Sequence, residues 1–76
     1  MVRFEDFERK HLHYQARTVG LKQQIGRDKK LLDEVRKFIP ELHAFLKENR
    51  QKLGTTKAAK VAAWRDFWMN LVEPYR

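Results

Sequence analysis

The chain has 76 residues, no cysteine, and 17 lysines and arginines against 10 acids, which gives a net charge of +7. This length allows one small domain, residues 1–76, with a thin hydrophobic core. An aromatic content of 12% excludes a disordered polyelectrolyte. The longest apolar run, residues 61–64, is much shorter than the roughly 20 residues of a membrane-spanning helix. The lack of cysteine excludes a disulfide framework and favours a reducing intracellular compartment: the cytoplasm, the nucleoid or an organelle matrix.

Apolar residues recur in steps of three and four from Phe4 to Leu53, which is the period of a helix with an a/d seam. This seam predicts a long basic helix over about residues 3–38. Beyond Ile25 the apolar stripe widens, as expected for a helix packed against two neighbours. Gly26 leaves two alternatives open, one bent helix or a helical hairpin broken at that glycine.

Two later helix-breaking residues, Pro40 and Gly54, predict two further helices. Pro40 lacks a backbone N–H and disfavours helical backbone at the preceding residue, so a second helix is expected over about 40–52. Gly54 is a typical helix-terminating glycine, and a third, tryptophan-rich helix is expected over about 56–72. The apolar face of this third helix is wide for so small a protein, which favours oligomerisation or docking on a partner. The predicted fold is therefore all-α, with three helices.

Basic residues are concentrated in the first half of the chain. The stretch from Arg9 to Lys30 contains seven bases and one acid, whereas the rest of the chain is nearly neutral. Such a stretch suits the phosphate backbone of a nucleic acid or an acidic protein surface. With two lysines that follow Gly54, the predicted nucleic-acid-binding residues are Arg9, Lys10, Arg17, Lys22, Arg27, Lys29, Lys30, Lys57 and Lys60.

The segment around Gly54 has the outline of a helix-turn-helix, in which Lys57 and Lys60 start the second helix. An ordinary corner between two helices is the alternative interpretation. The histidines do not suggest a metal site, because His11 and His13 point to different sides of a helix. No phosphate-binding loop and no nucleophile motif occurs in the sequence. We therefore expect a protein without enzymatic activity and without a cofactor.

The last helix carries the candidate residues for a protein interface, since tryptophan is enriched at interface hot spots. These residues are Trp64, Trp68, Leu71 and Tyr75, and core packing is the alternative role for both tryptophans. Two functions follow from the sequence. The first is a small nucleic-acid-associated regulatory factor that forms a homo-oligomer. The second is an accessory subunit or adaptor whose helices dock into a larger protein assembly. The sequence does not distinguish DNA, RNA and protein as the partner.

Overall fold

A computed structural model describes residues 3–22 and 24–75 of the chain. Helix α1 spans Phe4–Gly20 and helix α2 spans Lys29–Val72. Two short 3-10 turns, Ile25–Arg27 and Glu73–Tyr75, follow them. No strand occurs among the described residues, so the prediction of an all-α fold is confirmed. The prediction of three helices is wrong, because the described part of the chain forms two α-helices.

The predicted long helix over residues 3–38 ends at Gly20; residue 23, within its range, lies outside the described residues. Lys22 adopts a positive φ of 55°, which stops the helical backbone. A new helix begins at Lys29, where the Asp28 carboxylate accepts a hydrogen bond from the backbone N–H of Leu31 at 3.0 Å. The heptad pattern continues across this loop because the loop also contributes an apolar residue to the core. Ile25 lies in the 3-10 turn and is completely buried.

Asp28 also joins the start of α2 to the end of α1. Its carboxylate accepts a hydrogen bond from the Arg17 guanidinium at 2.6 Å. The Leu31 N–H bond and the charge of Arg17 both hold the pKa of Asp28 below its ordinary value. The helix cap and the ion pair therefore fix the loop between the helices from two directions.

Helix α2 continues through Pro40 and changes direction at Gly54. Pro40 is exposed, so the carbonyl that loses its partner in the helix can bond to water. The predicted second helix over 40–52 is therefore the later part of a helix that begins at Lys29. Gly54 has φ 77° and ψ 168°, a conformation essentially restricted to glycine. It divides α2 into a first arm, residues 29–53, and a second arm, residues 55–72, which contains the predicted third helix.

The two arms and α1 form an up-down-up bundle of 37 × 21 × 20 Å. Lys10 lies beside Glu41, and Arg17 lies beside Glu34, so α1 and the first arm are antiparallel. On the other side, the aromatic contacts of α1 advance from Trp64 to Trp68 as α1 proceeds from its start. The second arm is therefore parallel to α1.

The predicted heptad seam lies inside this bundle. The widened part of the stripe is buried together with most of the apolar seam of the first arm: Leu31, Phe38 and Phe45 with Leu32, Val35, Leu42 and Leu46. Phe7 packs on Phe45 with ring centroids 4.4 Å apart. The seam thus holds the segments of one chain together, as expected for a helix with two neighbours.

His11 is a polar residue within this core. It is 7% exposed and stacks on Trp64 with ring centroids 4.8 Å apart. Its Nδ1 accepts a hydrogen bond from the indole Nε1–H of Trp68 at 2.9 Å. An accepting Nδ1 requires the neutral imidazole. Burial lowers the pKa of His11 below its ordinary value, and the nearby charge of Glu8 opposes this effect.

We expect the melting temperature to fall as the pH is lowered from about 7 to about 5 because of His11. Its pKa is lower in the folded protein than in the unfolded chain, so the unfolded chain binds the proton first. The stabilising contribution of neutral His11 is thus complete above the ordinary histidine pKa and declines below it. Thermal melts of His11→Gln should show a weaker pH dependence over this range. His13→Gln, which alters an exposed histidine of the same helix, should behave as the wild type does. Equal dependence in His11→Gln would contradict the assignment.

Candidate nucleic-acid interface

Many charged residues of the first arm of α2 lie in two rows, each with a seven-residue repeat, and Lys30, Asp33, Lys37 and Lys52 lie outside these rows. Residues seven apart lie on nearly the same side of a helix. Acids recur at Glu34, Glu41 and Glu48. Bases recur on another side, together with a histidine and one further lysine, and we call this set the basic row: Lys29, Arg36, His43, Lys47 and Arg50.

Two residues of the acidic row, Glu34 and Glu41, pair with two of the predicted nucleic-acid-binding residues of α1. The Lys10 ammonium lies 3.5 Å from the Glu41 carboxylate. The Arg17 guanidinium lies 3.7 Å from the Glu34 carboxylate, in addition to its bond to Asp28. Lys10 and Arg17 are therefore partly neutralised within the chain. Arg17, which the sequence placed among the phosphate-binding residues, thus links α1 to α2.

The basic row faces solvent beside the second arm. All five of its side chains are exposed, and from residue 29 to residue 50 it extends about 32 Å at the rise of an α-helix. This length is close to one turn of B-DNA, about 34 Å. Arg36 also donates a hydrogen bond to the carbonyl of Tyr75, in the 3-10 turn that follows the second arm.

A groove between the two arms continues the basic surface. Its walls include Lys47 and Arg50 from the first arm and Arg65 from the second. Near the bend, its floor consists of small residues, Ala58, Ala59 and Ala62. Small side chains allow a ligand backbone to approach the helix closely. The groove is therefore an open, cationic channel.

Arg65 is the basic residue of the second arm in this groove. Its Nη1 lies 3.2 Å from His43 Nδ1, and its Nε bonds to the carboxylate of Asp66 at 3.3 Å. A guanidinium can only donate, so His43 Nδ1 is the acceptor of this hydrogen bond. Arg65 thus ties the second arm to the basic row, and Asp66 offsets part of its charge.

The other predicted nucleic-acid-binding residues are divided between the two ends of the bundle. Lys22, Arg27, Lys29 and Lys30 are exposed at or near the loop between the helices, and Lys29 also begins the basic row. Arg9 is exposed on α1 and lines a shallow hollow with Asp6 and His13. Lys57 and Lys60 are exposed near the other end, where the Lys57 ammonium lies 5.3 Å from the centroid of the Phe4 ring. The structure therefore brings four of the nine predicted residues together near the loop.

The segment around Gly54 differs from the helix-turn-helix outline. His43 and Arg65 are equally far from Gly54 along the chain, and their side chains are in contact. In a helix-turn-helix the two helices diverge at about 90–120°, and residues this far from the turn would be well separated. The arms form a closed antiparallel hairpin, so the start of the second arm does not project as a recognition helix.

The residues predicted to form a protein interface are mostly core residues of the isolated chain. Trp68 is completely buried, and Trp64 and Leu71 are half-buried against the core. Tyr75 packs over Gly26, where any side chain would collide with its ring. Trp68 is therefore not an accessible anchor for a partner in this fold. The sequence analysis expected the apolar face of the last helix to need a partner, but α1 of the same chain packs against this face.

Sequence reasoning overlooked Arg36, His43, Lys47, Arg50 and Arg65 because charge was counted along the chain. The seven-residue spacing of the bases was the available signal. No group of three potential metal ligands occurs among residues 3–22 and 24–75. Over the same residues, neither helix offers the apolar length that crossing a bilayer requires. Comparisons with protein-family models, curated proteins and solved structures find no match to this chain.

Proposed function

We propose that this protein is a non-enzymatic nucleic-acid-associated factor that binds the phosphate backbone with the basic row and the adjoining groove. The observation that carries the proposal is the separation of charge on the first arm. Glu34 and Glu41 of this arm pair with α1, whereas the basic row is exposed over a length of about one DNA turn, with the exposed acid Asp33 on the same side. Phosphate contacts of this kind supply affinity without sequence readout.

The loop residues extend this surface at one end. Lys22, Arg27 and Lys30 are exposed near Lys29, where the basic row begins. Lys10 and Arg17 are left out of the proposed contacts because acids of the same chain already pair with them. A ligand that competed for Arg17 would have to break the bridge between the two helices.

The alternative function, an adaptor docked on a larger assembly, relied on uncovered tryptophans. The burial of Trp68 removes the main anchor of that hypothesis. The exposed apolar residues Leu12 and Val19 are the observation that still favours a protein partner.

The test of the proposal compares two charge reversals on the same arm. Arg50→Glu alters the basic row, and Lys37→Glu alters an exposed lysine that is not part of it. Binding is measured by fluorescence anisotropy with labelled duplex DNA, single-stranded DNA and RNA. We expect Arg50→Glu to weaken binding about fivefold to tenfold at low salt, and to reduce the salt slope of the binding constant by about one unit.

Lys37→Glu should have a smaller effect on both quantities. The comparison separates a defined contact surface from the overall net charge, because the two variants change that charge equally. Circular dichroism should show unchanged helicity in both proteins. Absence of wild-type binding at low salt with every probe would end the proposal, and equal losses in the two variants would reject the basic row as the site.

A further inference from the structure

We propose that the outer face of α1 is a self-association surface on which a second copy of the chain packs its own α1 in the antiparallel direction. The face carries an apolar stripe of Leu12, Ala16 and Val19, spaced by four and three residues. These positions lie on one side of a helix, and this side differs from the seam that faces the core.

The stripe is the apolar surface that the fold of one chain leaves uncovered on α1. Leu12 is 55% exposed and Val19 is 66% exposed. Each is more exposed than Phe67, Met69 or Tyr75, the other large hydrophobic residues at the surface of the described chain. Other apolar residues outside the seam, Leu31, Phe38 and Phe45, are buried by the bundle. Ala16, between the two large residues, is also exposed.

Charge at the two ends of the stripe selects a second copy in the antiparallel direction. Glu5 and Glu8 lie on the side of the stripe near the start of α1, beside one exposed base, Arg9, and exposed Lys22 and Arg27 follow the end of α1. An antiparallel partner places its basic end beside this acidic end, and the two-fold symmetry repeats the match. The dipoles of the two helices also oppose each other in this arrangement. A parallel partner would place acid against acid and base against base.

The same arrangement makes the apolar residues self-complementary. Leu12 of one copy lies opposite Val19 of the other, and Ala16 lies close to the two-fold axis. A small residue at the crossing allows two helices to approach closely. Because only a few large side chains are buried, the interface belongs to the small class below about 1,200 Å². We therefore expect a weak dimer, with a dissociation constant in roughly the micromolar to millimolar range.

Cysteine cross-linking tests the position of the surface. The chain contains no other cysteine, so every disulfide forms at the introduced residue. Ala16→Cys places a thiol near the proposed axis, and Ala44→Cys places one at an exposed alanine of the first arm. Under mild oxidation of nucleic-acid-free protein, Ala16→Cys should form a covalent dimer much faster, since a disulfide requires Cα atoms within about 7 Å. Similar rates in the two variants would overturn the proposal.

Sedimentation equilibrium of the cysteine-free protein tests the apolar contacts and the direction of pairing. Leu12→Lys should weaken the dimer by more than about 50-fold because it buries a charge twice. Met69→Lys, at a residue 43% exposed on the other side of the bundle, should leave it unchanged. Glu8→Lys and Lys22→Glu should each weaken it roughly fivefold, and the double variant should recover most of the loss.

Failure of that recovery would overturn the antiparallel arrangement. A wild-type chain that remains monomeric at about millimolar concentration, beyond the weak range expected here, would overturn the whole proposal. Circular dichroism of each variant checks that the helical fold is retained. We expect it to be retained in Leu12→Lys and Met69→Lys because both side chains are substantially exposed. None of these experiments includes nucleic acid, so their outcome is independent of the proposed function.

Discussion

Trp68→Ala is expected to unfold the isolated protein at ordinary temperature. The side chain is completely buried and contacts the rings of His11, Tyr14 and Phe67. Its removal leaves a large cavity and costs about 3–5 kcal/mol of unfolding free energy. A domain of this size has little more than that in total. Thermal and urea melts followed by circular dichroism measure the effect.

Two companion variants separate packing from hydrogen bonding. Trp68→Phe retains most of the volume but leaves the Nδ1 of His11 without its donor, at a cost of about 1–3 kcal/mol. Phe67→Ala truncates a neighbouring ring that is 37% exposed, so it should be the mildest of the three. If Trp68→Ala retained the wild-type melting temperature, the second arm would not be packed as described.

The second large effect is expected at the bend of α2. Gly54→Ala should lower the free energy of unfolding by about 1–3 kcal/mol, because an L-residue is strained at φ 77° and ψ 168°. No neighbouring atom lies within 4 Å of the added methyl group. The cost would therefore arise from the backbone alone. Urea denaturation of the purified variant measures it.

Gly20→Ala is the matched control, since it adds the same methyl group in equally open space at the end of α1. It should be neutral or should stabilise the protein by up to about 1 kcal/mol, through the higher helix propensity of alanine. A chain synthesised with D-alanine at residue 54 should also fold well, because a D-residue favours positive φ. Equal stability of the two L-alanine variants would be incompatible with the described bend.

These two predictions depend on sequence features of different kinds. Gly54 was identified as a break from its residue type, and its backbone conformation is a local property. Trp68 stood on an apolar stripe, but whether that stripe meets the same chain or a partner is not a local property. In the structure this stripe packs against α1 of the same chain, where His11 contacts Trp68 although the two residues are 57 positions apart.

The sequence by itself determined the all-helical fold, the seam side chains that form much of the core, and the break at Gly54. Periodicity, propensity and backbone restriction act within a few residues, so they can be recognised along the chain. They did not locate the end of α1, because Ile25 preserved the heptad phase while it filled the end of the core.

Only the tertiary structure decided which charges remain available to a partner. The register between α1 and the first arm places Lys10 beside Glu41 and Arg17 beside Glu34. The basic row of the same arm remains exposed away from these pairs, and its Lys47 and Arg50 line the groove. The energy of an ion pair depends on the distance between its charges in space. Counting charge along the sequence therefore located a basic stretch, whereas the antiparallel packing of remote segments created the basic surface.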